Sequence, residues 1–250
     1  MEFYRLLAGR RTVCSPGYFR NPVGATGPAV LIILLVLSIL SITGCRRHQQ
    51  GPTAEIRFVD AVPDADAIRL TVTNKQVIPD VASGDTTPFT AIPVGTYTVD
   101  AKTRNNGSWT SGIAPLRCTL EQNHHYTAVA MGSIKTSPQV RIKILDDDEP
   151  SEVAQGEAEI DIVDAYPHWG KLDVTINNIV AFAGLEFGKR SKLMSLPAKE
   201  YVCKAMRSGQ FDSPVAGPAP LDLKSGQTYL LLILDQKSDN SSGILVLPND

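Results

Sequence analysis

Ala54-Glu55-Ile56-Arg57-Phe58-Val59-Asp60-Ala61-Val62-Pro63 returns about a hundred residues later as Ala158-Glu159-Ile160-Asp161-Ile162-Val163-Asp164-Ala165-Tyr166-Pro167. A fixed period of self-similarity fixes architecture before any other signal. This period is too long for a solenoid unit and suits a small domain with its own core. The echo continues in order. Pro93 and Tyr97 match Pro197 and Tyr201, and the run Leu120 to Tyr126 matches Leu223 to Tyr229. The chain therefore reads as two copies of one domain.

Within the motif, Ile56 and Phe58 alternate with Glu55 and Arg57, as in a strand with one buried face. The same parity turns Asp60 inward, and Pro63-Asp64-Ala65-Asp66 ends the strand. An Asp at such a place accepts backbone N–H bonds from the following turn, a role expected of both Asp60 and Asp164. Further strands are expected at Ile68–Thr73, Thr87–Ile92, Thr96–Ala101, Leu116–Leu120, Tyr126–Met131 and Val140–Leu145, with a hairpin turn at Asn105-Asn106-Gly107. The second copy offers Leu172–Ile176, Tyr201–Met206, Thr228–Leu234 and Gly243–Leu247, with Pro214 to Pro220 reading as a loop. Leu230 to Leu234 is apolar throughout, as in a central strand buried on both faces. Short strands joined by turns in a domain of this size describe a β-sandwich. The expected fold class is all-β: two tandem immunoglobulin/transthyretin-like sandwiches, over residues 54–149 and 157–250, joined by a linker at 150–156.

The N-terminus reads as an address. A positively charged start leads to an apolar stretch, Ala29 to Ile42, that has the length of a signal-peptide core and is short for a bilayer span. Ile42-Thr43-Gly44-Cys45 follows, and small residues before a Cys resemble the lipobox of bacterial lipoproteins. That resemblance implies a signal peptide over 1–44, cleavage between Gly44 and Cys45, and acyl chains on Cys45, with residues 45–53 as a tether. Two or three chains anchor stably where one binds marginally. Arg46 stands where an Asp would signal inner-membrane retention. The expected location is the cell envelope, lipid-anchored at the outer membrane or cell surface and facing the periplasm or the exterior.

The chain holds 24 Lys+Arg against 26 Asp+Glu. Removing Arg5, Arg10, Arg11, Arg20 and Glu2 with the leader leaves 20 basic and 25 acidic residues, a net charge of −5. No basic field of the kind nucleic acid requires remains. No nucleophile elbow, phosphate loop or His-Glu-x-x-His pair is present, so neither catalysis nor a cofactor is expected. Cys118 and Cys203, one per domain at inward parity, are expected free and buried; the rival is an interdomain bridge, since an exported protein meets oxidising conditions. His124 and His125 are neighbours that a strand would point to opposite sides, and no metal site is expected from them. Asp146-Asp147-Asp148, before Glu149-Pro150, reads as a solvated acidic hinge. The alternative is calcium held there, with Asp64, Asp66 or Asp164 as further oxygen donors. Trp109, Trp169 and His168 are the candidate ligand-binding residues. A Trp on a turn is a recognition anchor and can stack on sugar rings, although each can equally pack over its own sandwich edge.

These residues carry a family resemblance. Val59-Asp60-Ala61-Val62-Pro63-Asp64-Ala65 resembles the opening Val-His-Ala-Ser-Pro-Asp-Ala of the bacterial domain of unknown function 4397. Ile92-Pro93-Val94-Gly95-Thr96-Tyr97 resembles its Val-Pro-Ala-Gly-Thr-Tyr, and Leu120 through Gly132 its Leu-x-x-Gly-x-x-Tyr-Thr-Val-x-Ala-x-Gly. The resemblance spans most of the first copy; the second keeps Pro167, Pro197, Tyr201 and Tyr229 but has Lys199-Glu200 before Tyr201. Asp60 and Asp164 stand where the family often has His, so no role of that His carries over. The resemblance implies exported tandem sandwiches, often lipid-anchored, with no assigned chemistry. The function expected is a non-catalytic envelope binding or adhesion module, its partners the membrane and an envelope protein or glycan. The alternatives are an assembly partner in an envelope complex and a glycan-holding accessory to an enzyme.

Overall fold

The opening motif forms β1 (Thr53–Ala61), and its residues divide between two cores. Ile56 and Phe58 enter one, Val59 and Ala61 the other. The structure, a computed structural model, describes residues 51–73, 78–148, 152–234 and 243–249. The leader, the Gly44–Cys45 cleavage position and most of the tether lie outside the described residues. No helix forms among those that are described.

β1 pairs in parallel with β8 (His125–Met131) and antiparallel with β4 (Thr90–Pro93), and β9 (Arg141–Asp146) completes an inner sheet of order β4-β1-β8-β9. Facing it is an outer sheet of β3 (Val81–Ala82), β2 (Ala67–Val72), β5 (Gly95–Asn105) and β6 (Ser108–Ser111), with β7 (Leu116–Leu120) also on β5. Ile56, Phe58, Ile68, Leu70 and Val99 fill the space between the two sheets. Asn106 (φ 48°) and Gly107 (φ 77°) make the expected β5–β6 turn, which needs positive φ at both positions.

The order recurs in the second half. β10 (Glu157–Asp164) pairs in parallel with β16 (Thr228–Ile233) and antiparallel with β13 (Met194–Pro197), and β17 (Ile244–Pro248) flanks β16. The outer sheet runs β12 (Ile179–Leu185), β11 (Leu172–Ile176), β14 (Glu200–Arg207), β15 (Pro214–Asp222). The recurring sequence landmarks are the residues that tie turns. Tyr97 Oη donates to the Pro93 carbonyl at 2.5 Å and Tyr201 Oη to that of Pro197 at 2.9 Å. Tyr126 and Tyr229 accept from the backbone N–H of Glu121 and Lys224. Asp60 and Asp164 each accept from the backbone N–H two residues on, at 2.9 Å.

A third core joins the two inner sheets. Val59, Ala61, Val129, Met131 and Leu145 meet Val163, Ala165, Leu230, Leu232, Leu234 and Leu247. The body is thus four sheets deep, and its two central sheets are buried on both faces. Burying charge at such an interface requires pairing. Arg57, fully packed, donates to Thr127 Oγ1 (2.7 Å), to Asp147 Oδ2 (3.3 Å), and across the interface to the Pro248 carbonyl (2.5 Å) and Asn249 Oδ1 (2.7 Å). Arg190 pairs with buried Asp161 and reaches the Asp146 carbonyl at 2.6 Å.

Three expectations are corrected. Pro214 to Pro220 is strand β15 rather than a loop; it lies at a sheet edge, where missing N–H groups are tolerated. Asp147 is not part of a solvated hinge, since Arg57 and Thr127 hold its carboxylate in the interior. Cys203 is buried but Cys118 is only half-buried; both are free.

Candidate functional site

The parallel placement of β1 and β10 gives the body two unlike ends. Arg57, midway along β1, meets Pro248 and Asn249, which lie beside the start of β16. At the other end Thr136, after β8, meets His168, after β10, at 3.3 Å. The entry of the chain, the Asp146–Asp148 run and the end of β17 therefore share one end. The turns at Pro63–Asp66, Ser133–Ser137 and Pro167–Gly170 share the far end.

All three sequence-chosen ligand candidates lie at the far end. Trp109 is on β6, not on a loop, and pairs with Arg104. The Arg69 guanidinium lies 4.2 Å above its ring, and Arg69 is fixed in turn by two 2.8 Å bonds to Asp80. Trp169 sits on the turn after β10. It stacks on Tyr166 (5.4 Å, 28°) and carries Arg207 at 4.1 Å on its ring. His168, exposed, stands edge-on to Tyr166 at 5.6 Å. Guanidinium groups on indole faces are cation–π contacts, so both rings are half-buried with faces already occupied.

Between β6 and the β8–β9 connection opens a cleft of about 200 Å³, lined by Thr103, Thr110, Ser111, Ile113, Ile134 and Gln139 among others. Its wall is the turn built on Asp64. That carboxylate accepts from Ser133 Oγ (2.7 Å), Ile134 N (3.0 Å) and Lys135 N (3.0 Å). Burial pushes the Asp64 pKa up, but these bonds outweigh it and hold the group below its ordinary 3.8. The cleft offers hydroxyls, an amide and aliphatic carbon. Among the described residues, no titratable side chain lines it.

The carboxylates with raised pKa values lie elsewhere. Burial lifts Asp164 to about 7 and Asp147 to about 6. Both are enclosed, one at the end of β10 and one under Arg57. The calcium donors suggested by sequence do not converge either. Asp64 and Asp66 are at the far end, Asp164 is interior, and Asp147 turns away from Asp146 and Asp148. Instead, Asp146 and Asp148 meet the two histidines: His124 Nδ1 is 2.9 Å from Asp146 Oδ2, and His125 Nδ1 is 3.0 Å from Asp148 Oδ2. Sequence reasoning missed this grouping and the Thr103–Thr110 cleft. The signal for the first was the pair of sequence neighbours His124-His125 at the start of a strand whose partner runs into three consecutive aspartates.

No curated protein matches the sequence. Among solved structures, the Bacillus anthracis TIE protein aligns at 15% identity over 74% of this chain and 34% of its own, with a TM-score of 0.25. This chain thus spans about a third of that protein's length. A leucine-rich repeat protein from Bacteroides thetaiotaomicron aligns at 11% identity over 77% and 27% of the two chains, TM-score 0.20. A structure described as alpha-glucan binding by a streptococcal virulence factor aligns at 11% over 76% and 96%, TM-score 0.24. Likeness at these scores carries no functional argument. The family comparison is more specific, and it runs past the first sandwich to include the second copy of the opening motif: residues 54–171 match the family described as Domain of unknown function (DUF4397).

Proposed function

We propose that this chain is a lipid-anchored cell-envelope protein whose duplicated sandwiches form one rigid, non-catalytic binding module, anchored at one end and recognising its ligand at the other. The observation that carries this reading is the placement of Trp109, Trp169, His168 and the Thr103–Thr110 cleft at the end opposite chain entry. Cys45 stands eight residues before β1, a tether of at most about 30 Å when fully extended. An acylated Cys45 would hold the entry end toward the membrane and present the far end outward. The hydroxyl, amide and aliphatic groups that line the far-end cleft among the described residues suit a binding role.

An assembly role has its own support. β12 is an edge strand carrying Ile179 and Val180, which are 73% and 43% exposed. Such an edge can accept a partner's strand. Occupied indole faces at Trp109 and Trp169 also favour a protein partner over a stacked sugar.

The test is site-specific photocrosslinking in cells, with the crosslinker placed at Trp109, at Trp169, at Val180 and at Glu121 of the entry end. Capture of one envelope component from both Trp positions supports far-end recognition. Capture from Val180 alone transfers the function to the β12 edge. A Cys45→Ser variant that remains acylated and membrane-bound would refute the anchor.

A further inference from the structure

At the entry end, strand parity builds a cluster that the binding reading does not use. Asp147 is drawn inward by Arg57 and Thr127, so its neighbours Asp146 and Asp148 both project to the opposite side. Asp148 N bonds Asp146 Oδ1 at 3.1 Å, and the backbone N–H of His125 bonds Asp148 Oδ2, which fixes both carboxylates. Asn123, at φ 62°, turns the chain just before β8 and brings His124 over Asp146. Stacking of His124 on Tyr126 (6.0 Å) and of Phe89 against the edge of His125 (5.2 Å) orients the two imidazoles. Among the described residues, no Lys or Arg side chain forms a salt bridge with either carboxylate.

We propose that His124, Asp146 and Asp148 bind a divalent transition-metal ion of the zinc class, with His125 holding Asp148 in place beside it. One donor atom from each of the three lies within 4.8 Å of the others, close enough for small side-chain rotations to bring them onto one ion at ligand distances of about 2.0–2.2 Å. Glu55 lies 4.0 Å from the far nitrogen of His125, so a further carboxylate adds to a field that favours a cation. The donor chemistry selects the ion. Imidazole with carboxylate suits zinc and its neighbours, whereas calcium requires six to eight oxygens. With Asp147 turned away, the run cannot supply them. About a third of each side chain remains exposed, which leaves room for water or a ligand group to complete the shell, as in three-ligand open sites.

The experiment is a titration of the full chain in detergent with Zn²⁺ against a chromophoric chelator, repeated with Co²⁺ by visible absorption. One equivalent of Zn²⁺ should bind, and Co²⁺ should give ligand-field bands of low coordination number. His124→Ala and Asp148→Asn should each weaken binding by about tenfold or more, the upper range seen even for outer-shell losses being about a hundredfold. His168→Ala should leave it unchanged. No stoichiometric uptake, uptake insensitive to both cluster variants, or preference for Ca²⁺ would each overturn the site. Because the Co²⁺ spectrum is read on the unaltered protein, the answer does not depend on any variant folding.

Discussion

Replacing Asp164 by Asn should stabilise the protein at pH 8 and destabilise it at pH 4. The side chain is wholly buried at the end of β10. Its Oδ1 accepts from Tyr166 N at 2.9 Å, while Oδ2 finds no donor among the described residues. Burial, only partly opposed by the Tyr166 bond, raises the pKa from 3.8 to about 7. The folded state therefore holds this proton more tightly than the unfolded chain. The contribution is full below pH 3.8 and is lost as pH rises toward 7. Over that span, at 1.36 kcal/mol per pH unit, the loss is about 4 kcal/mol. Asn keeps the acceptor for Tyr166 and cannot ionise, but it buries an unpaired amide at about 1–3 kcal/mol. The variant should thus be the weaker protein by about 1 kcal/mol or more at pH 4, and the stronger by about 1–3 kcal/mol at pH 8. Urea unfolding followed by tryptophan fluorescence at pH 4, 6 and 8 measures both. Other groups titrate in both proteins and cancel in the difference. A difference that stays constant across this range would refute the assignment of a buried, titrating carboxylate to Asp164.

Two further outcomes follow from the interior. Arg57→Met should cost about 3–5 kcal/mol in urea unfolding, because it strands Asp147, the Pro248 carbonyl and Asn249 together. Adding Asp147→Leu should recover much of that loss, and a double variant no better than the single would show that the charge pair is not the source. Native-state alkylation with mass mapping should modify Cys118 well before Cys203, since burial pushes both thiols up, Cys203 to about 12, and only Cys118 is partly exposed. Equal rates would contradict the packing of β14.

The strand pattern and the recurring landmarks were legible because they are local. Pro93–Tyr97 and Pro197–Tyr201 are four-residue spacings that a single Oη–carbonyl bond explains, and Asp60 and Asp164 bond within their own turns. Local rules misled where a strand's neighbours decide what it tolerates. Prolines at 214, 218 and 220 argue against a central strand, yet β15 pairs on one side only. The β11–β12 hairpin was missed because its turn is Asn177-Asn178, at φ 51° and 64°, without the glycine that usually marks that geometry. The far-end cleft and the histidine–aspartate cluster each need residues from separate strands, which spacing in one chain does not bring together.

What sequence periodicity leaves open is what covers the second face of β1 and β10. In β1 the alternation stops after Arg57, and Phe58 to Val62 is apolar except for Asp60; in β10, Ile160 to Ala165 is apolar except for Asp161 and Asp164. Such runs mean burial on both faces, but not which surface does the burying. The charged exceptions hold that information. Arg57 and Asp161 occupy the same position of the repeated motif and carry opposite charge. Identical copies would have placed two arginines in the interface, where desolvating like charges is prohibitive. With the position diverged, Arg57 satisfies the strand ends of both sandwiches, while Asp161 is answered by Arg190, whose other nitrogen bonds the Asp146 carbonyl of the first sandwich. The opposite charges at this position are thus each satisfied where the two sandwiches pack on each other.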